Sequence, residues 1–158
     1  MSDSFPDGDF EDPETEEDWV LSMRRKVEEY LREQTLSYTN VGEWPAWHVA
    51  PATSIWAVES KEKPGWVGWW VVCGDHPTDY VSLKNIKHPR AALREVCARW
   101  REIIKDPDRD VARSSTTLGR NGESGSLAIQ LKSRIRLLED WAANDEIWDY
   151  DEAEFENP

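Results

Sequence analysis

PGWVGWWVVCGDHPTDY, Pro64 to Tyr80, sets three tryptophans within five residues and then breaks into a turn rich in carboxylate and histidine. Its reading decides the fold. In Trp66–Cys73 both alternating sets are apolar, with Trp66, Gly68, Trp70 and Val72 on one and Val67, Trp69, Val71 and Cys73 on the other. A strand apolar on both faces belongs at the centre of a sheet covered on both sides. Gly68 leaves a gap where a neighbour can approach.

Working outward, SIWAVES (Ser54–Ser60) reads as a preceding strand, and Pro64-Gly65 supplies the reversing turn. DYVSLK, from Asp79, gives a third strand, so the expected centre is a three-stranded antiparallel meander. Before it, Val20, Met23, Val27, Tyr30 and Leu31 recur at helical spacing, and Thr15 with Asp18 predicts a capped start to a helix running to about Gln34. After it, Pro89 suits a first helical position and Leu93, Val96, Cys97, Trp100, Ile103 and Ile104 form a stripe, with Arg90, Arg94, Arg99 and Arg101 on the opposite face. A last helix carries Leu127, Leu131, Ile135, Leu138 and Ala142 beyond the glycine-rich SSTTLGRNGESGS linker. Ser37–Thr53 holds Pro45 and Pro51 and is expected to be irregular, with Trp44 and Trp47 packed across the sheet. The expected class is α+β, a three-stranded sheet packed by about three helices: residues 15–143 form one domain between acidic, flexible tails at 1–14 and 144–158.

The chain of 158 residues has a net charge of −13, but unevenly. Residues 1–18 and 139–158 each hold nine acids and no base, which leaves 14 acids against all 19 lysines and arginines in between. The result is a mildly basic body with two acidic ends. Those ends carry Phe5 and Phe10 at one terminus and Trp148, Tyr150 and Phe155 at the other, interleaved with acids such as Asp149 and Asp151. Purely solvating tails lack aromatics, so either some of these rings dock on the protein's own body or these seven residues are the candidate binding set for a partner protein with a basic or apolar surface, such as a toxin.

No catalytic constellation is expected. Cys73, Asp75, His76 and Asp79 in CGDHPTD offer zinc-ligand types, yet neighbouring Asp75 and His76 on a turn do not aim at one point. Gly74, Asp75 and Pro77 describe an ordinary corner. His48 and His88 have no triad neighbour, and LGRNGESG matches no phosphate loop. No metal, no cofactor and no enzyme activity are therefore expected. Cys73 and Cys97 lie in apolar segments, and with no signal peptide or long apolar run a reduced, cytoplasmic protein with no membrane association is expected.

SIWAVES, GWVGWWVVCGDHPTDYVSLK and HPRAALREVCARW together resemble one of the small bacterial domain-of-unknown-function families, whose members share an aromatic GWW strand, a CGD-x-PTDY corner and a PR-x-AL helix. The likeness spans about Trp44 to Trp100 and implies a bacterial origin and a compact domain, with no assigned chemistry. By analogy of make-up alone, the chain is similar to immunity proteins. The expected function is a non-catalytic protein-binding module, an immunity protein, inhibitor or adaptor, using its acidic-aromatic ends or an aromatic sheet edge. The alternative is nucleic-acid binding by Arg24, Arg25, Arg94, Arg99, Arg101, Arg134 and Arg136, with the acidic tails as a gate.

Overall fold

The computed structural model describes residues 12–84, 86–105 and 126–148. In chain order they form helix α1 (Pro13–Glu33), strands β1 (Tyr38–Val41), β2 (Trp47–Val49), β3 (Thr53–Ser60), β4 (Val67–Gly74) and β5 (His76–Ser82), then helices α2 (Pro89–Lys105) and α3 (Ser126–Ala143), closed by a single 3-10 turn at Asp145–Ile147. The class is α+β as expected, with five strands where three were foreseen. All pairings are antiparallel: β3 lies between β4 and the two short strands β1 and β2, and β5 pairs the far side of β4.

The two extra strands come from the segment expected to be irregular. Of four and three residues, they are too short to show a period. Their order comes from the β3 edge, whose ladder continues between them through Gly42 N–H to Ala57 O (2.9 Å) and Ala46 N–H to Ile55 O (2.8 Å). Between these bonds Glu43 and Trp44 swing outward. Pro45 takes the buried place, while Trp44 remains 49% exposed, so only Trp47 of the two tryptophans packs into the core.

Helix α1 begins two residues before the expected start, because Pro13 occupies the first turn behind Asp12. The Thr15 hydroxyl donates back to Asp12 Oδ2 at 3.0 Å. Its buried stripe of Trp19, Val20, Met23, Val27 and Leu31 covers one face of the sheet, against Trp56, Val58, Val71 and Cys73. On the other face α2 and α3 lay Leu93, Val96, Trp100, Leu131, Ile135 and Leu138 over Ile55, Trp70, Val72 and Val81. The alternation read from Trp69 to Cys73 is therefore the real division between two cores. Wholly buried tryptophans such as Trp56, Trp70 and Trp100 each contribute on the order of several kcal/mol as an upper estimate.

The alternation fails at one point. Val58 pairs with Trp69 but Glu59 with Val67, so Gly68 is an extra residue and Val67 joins the α2 and α3 side instead of the Trp69 side. The third strand also starts earlier than expected, at His76, with Pro77 inside it. β5 is an edge strand, where a missing N–H is tolerated. Both cysteines are buried free thiols, as expected, and burial pushes Cys97 up to about 12.

Arg90 departs from the sequence reading too. Although grouped with the solvated face of α2, it is 3% exposed: Nε donates to Ala142 O at 2.6 Å and Nη2 meets Asp145 Oδ1 at 2.6 Å. A buried guanidinium is sustained only by such partners, and here they are the unfilled carbonyl at the end of α3 and an acid from the turn beyond it. His88 prepares the same corner, its Nδ1 accepting the Arg90 amide at 3.0 Å.

Candidate functional site

The CGDHPTD corner is closed upon itself. Gly74 lies so near the β2–β3 turn that a Cβ there would sit 2.2 Å from Ala52 O. Asp75 pairs with Arg134 at 2.9 Å, and Arg134 Nε also donates to Asp75 O at 3.0 Å. His76 Nδ1 faces the Pro77 carbonyl at 2.8 Å, and because a carbonyl only accepts, Nδ1 carries the proton. Nε2 is then the acceptor for the Thr53 hydroxyl at 2.9 Å. Burial pushes the His76 pKa down from 6.5 to about 4, which keeps this neutral form. Asp79, wholly buried, accepts Trp100 Nε1–H on Oδ2 (3.0 Å) and the Tyr80 amide on Oδ1 (2.9 Å).

His48 belongs to another place. It pairs across the strands with Ser54, whose hydroxyl accepts Trp56 Nε1–H within the α1 core, whereas Thr53 is in phase with Ile55 on the opposite face. Accordingly His48 Nε2 meets Glu16 Oε2 at 2.9 Å, its ring stacks 6.2 Å from Trp19, and it takes the edge of Trp44 at 5.7 Å. The sheet thus separates His48 from His76, while Asp75 turns to Arg134. Among the described residues no group of three His, Cys, Asp or Glu side chains is placed to hold a metal ion, and no helix is long and apolar enough to cross a membrane.

Of the seven residues expected to bind a partner, the structure places Trp148. Its ring is 4% exposed, stacked 4.1 Å from Trp47 at 15°, with Nε1–H on Trp141 O (3.0 Å) and the Arg90 guanidinium 5.8 Å from its centroid. It is a core residue, not a surface contact, and the ordered turn before it extends the domain past Ala143. Phe5, Phe10, Asp149, Tyr150, Asp151 and Phe155 lie outside the described residues, as does the 106–125 connection.

The opposite end of β4 is open. A cleft of about 460 Å³ lies there, lined by Arg24, Asn40 to Glu43, Ala57, Glu59 and Gly65 to Val67. It lies beside the register shift between β3 and β4 at Gly68 and the exposed loop residue Glu43. Trp66 forms one wall and is 39% exposed, with Lys63 Nζ 5.0 Å from the ring centroid. Trp44 stands next to the lining residue Glu43. Glu59 is fixed by the Gly65 amide (2.7 Å) and Asn40 Nδ2 (3.2 Å), and these bonds, the amide first, hold its carboxyl below the usual range. Gly65 makes the turn possible through its φ of +86°. Arg24 is turned into the wall, Nε donating to Gly42 O (2.8 Å) and Nη2 to Val41 O (2.7 Å), with Glu28 3.6 Å from Nη1. Sequence reasoning missed this site: its residues come from four stretches of chain, and the one visible signal was that Trp66 sits next to a turn.

The basic body is also more occupied than its formal charge suggests. Besides Arg24 and Arg134, Arg94 donates to Ala142 O (3.3 Å), Arg99 meets Glu95 (3.1 Å) and Tyr80 O (3.0 Å), and Arg101 grips Glu139 with two bonds of 2.6 Å.

In comparison with known proteins, a family model described as "Domain of unknown function (DUF4826)" matches residues 13–148. No curated protein matches. No solved structure matches.

Proposed function

The chain belongs to this DUF4826 family, and we propose that it is a non-catalytic protein-binding module, acting by contact as an inhibitor, immunity protein or adaptor does, through the aromatic edge formed by Trp44 and Trp66. The observation that carries this reading is the partial exposure of two tryptophans, at 49% and 39%, beside a cleft in a chain whose other described tryptophans are largely covered. Each leaves roughly 100 Å² for a partner to cover, worth about 2 to 3 kcal/mol as an upper estimate. Tryptophan is the residue type most enriched among contacts that dominate binding energy. Nucleic-acid binding is less well supported, because five of the seven arginines it requires are engaged within the chain, so phosphate would have to displace existing partners.

The test is cross-linking in the native cell, comparing the wild-type chain with a Trp44→Ala/Trp66→Ala double variant of matched circular dichroism. We expect a recurrent set of protein adducts that falls by about tenfold or more in the variant. Identical adducts from both chains, or none from either, overturn the reading.

A further inference from the structure

The cleft has a chemistry of its own, apart from the fact that aromatic rings flank it. Resting on the protein-binding reading, we propose that it receives a basic side chain of the partner, arginine in the best case, with the charge set against Glu59 and Glu43 and the planar group laid along Trp66. Four observations converge on this. The Glu59 carboxylate is already oriented by the Gly65 amide on one oxygen and by Asn40 on the other, with Thr39 adding a third, lesser bond, and of its roughly four acceptor positions these leave about one open. Among the residues lining the cleft Arg24 is the one cation against two carboxylates, Glu43 and Glu59; its nitrogens are turned to the carbonyls of Val41 and Gly42, and Glu28, 3.6 Å from Nη1, offsets part of its charge. The Trp66 ring carries the ammonium of Lys63 at 5.0 Å. This exposed chain stands where an external cation would gain most, since an indole ring is the strongest of the aromatic cation acceptors. Lastly, a net charge of −13 draws basic surfaces toward the molecule and repels acidic ones.

Lys63 gives the proposal a sign that a simple docking surface would lack. If it occupies the ring in place of a ligand, removing it strengthens binding, whereas removing Trp66 or Glu59 weakens it.

The experiment is an NMR titration of the 15N-labelled full chain with acetyl-Gly-Arg-Gly-amide, and with the same peptide carrying citrulline, which keeps the shape and loses the charge. The Trp66 indole and Gly65 amide signals are followed. The arginine peptide should shift both saturably and bind at least about fivefold more tightly than citrulline. Glu59→Gln and, independently of the turn, Glu43→Gln should each weaken it by about two- to fivefold, while Lys63→Met strengthens it about twofold. Equal binding of the citrulline peptide, no saturable shift at either signal, or indifference to both glutamine variants overturns the inference. If cross-links in the cell depend on Trp44 and Trp66 while arginine and citrulline bind alike, this inference alone falls. If arginine binds as described and no cross-link depends on the tryptophans, the protein-binding reading falls and the chemistry of the cleft stands.

Discussion

At one end of β4, Gly74, His76, Asp79 and Trp100 are packed so that the polar groups named above meet one another inside the protein; at the other, Glu59, Lys63 and Trp66 use the same kinds of group at the surface. The difference is in cover. The sealed end is closed by Trp100 of α2 and Arg134 of α3, and a buried carboxylate or imidazole there is tolerated only with a donor or acceptor in place. At the open end a bulge disturbs the ladder between β3 and β4, and the indole of Trp66 stays partly in water. The lesson is that position, not residue type, decides what a tryptophan does here: Trp70, 1% exposed, packs in the core under two helices, while Trp66, just before the strand, is left 39% exposed.

Substitutions can break this contrast, and the largest effect should come from Trp148, whose stack on Trp47 belongs to the sealed side. Trp148→Ala should cost about 3 to 5 kcal/mol in urea unfolding, whereas Trp66→Ala, at the open end, should change stability by under about 0.5 kcal/mol. Equal losses would erase the distinction. Next come the glycines that bracket the strand. In Gly74→Ala the new methyl would meet Ala52 O at 2.2 Å and Thr53 Cα at 2.6 Å, both backbone, with an expected cost of about 3 kcal/mol or more. In Gly68→Ala the nearest atom is Ser60 Cβ at 3.3 Å, and thermal melts should place the variant within about 1 kcal/mol of wild type.

Trp100→Phe sharpens the comparison by keeping much of the ring volume while removing the donor to buried Asp79. The loss should be roughly 1 to 3 kcal/mol beyond any packing change, and Asp79→Asn, tested in the same background, should recover part of it. The smallest effect is a dependence on pH. His76 is held neutral in the fold, with its pKa at about 4 against 6.5 for the free group. Unfolded chains therefore take up the extra proton between those values. The stability that His76 contributes is complete above pH 6.5 and is lost as pH falls toward 4. His76→Gln should flatten that part of the wild-type curve by on the order of 1 to 2 kcal/mol, measured as unfolding free energy at steps from pH 4.5 to 7.5. Parallel curves would show that the imidazole titrates freely.

Much of the fold was legible in the sequence where it is built from local pattern. The alternation from Trp69 to Cys73, the Pro64-Gly65 turn, the start of α2 at Pro89 and the stripe Leu131, Ile135, Leu138, Ala142 all express periods or turn preferences within a few residues. What escaped depends on distant partners. Strands β1 and β2 are ordered by β3; Asp79 finds its donor 21 residues away on α2; Trp148 meets a ring 101 positions earlier. Arg90 looked solvated because its neighbours on α2 are charged, and nothing near it in the chain announced the carbonyl of Ala142. The open cleft was hidden for the same reason, and its walls follow from a one-residue offset between β3 and β4 that no pattern of apolar residues displays.

The contact between Trp47 and Trp148 also has a bearing on biosynthesis. When a ribosome has released the chain only as far as Lys105, α1 has its whole sheet face to fold against, but the second face has α2 alone, and Ile55, Val72 and Trp47 still lack the helix and indole that will cover them. Until the final stretch emerges, the nascent protein presents a greasy, half-roofed flank, the kind of surface on which chaperones act and on which prematurely terminated chains aggregate.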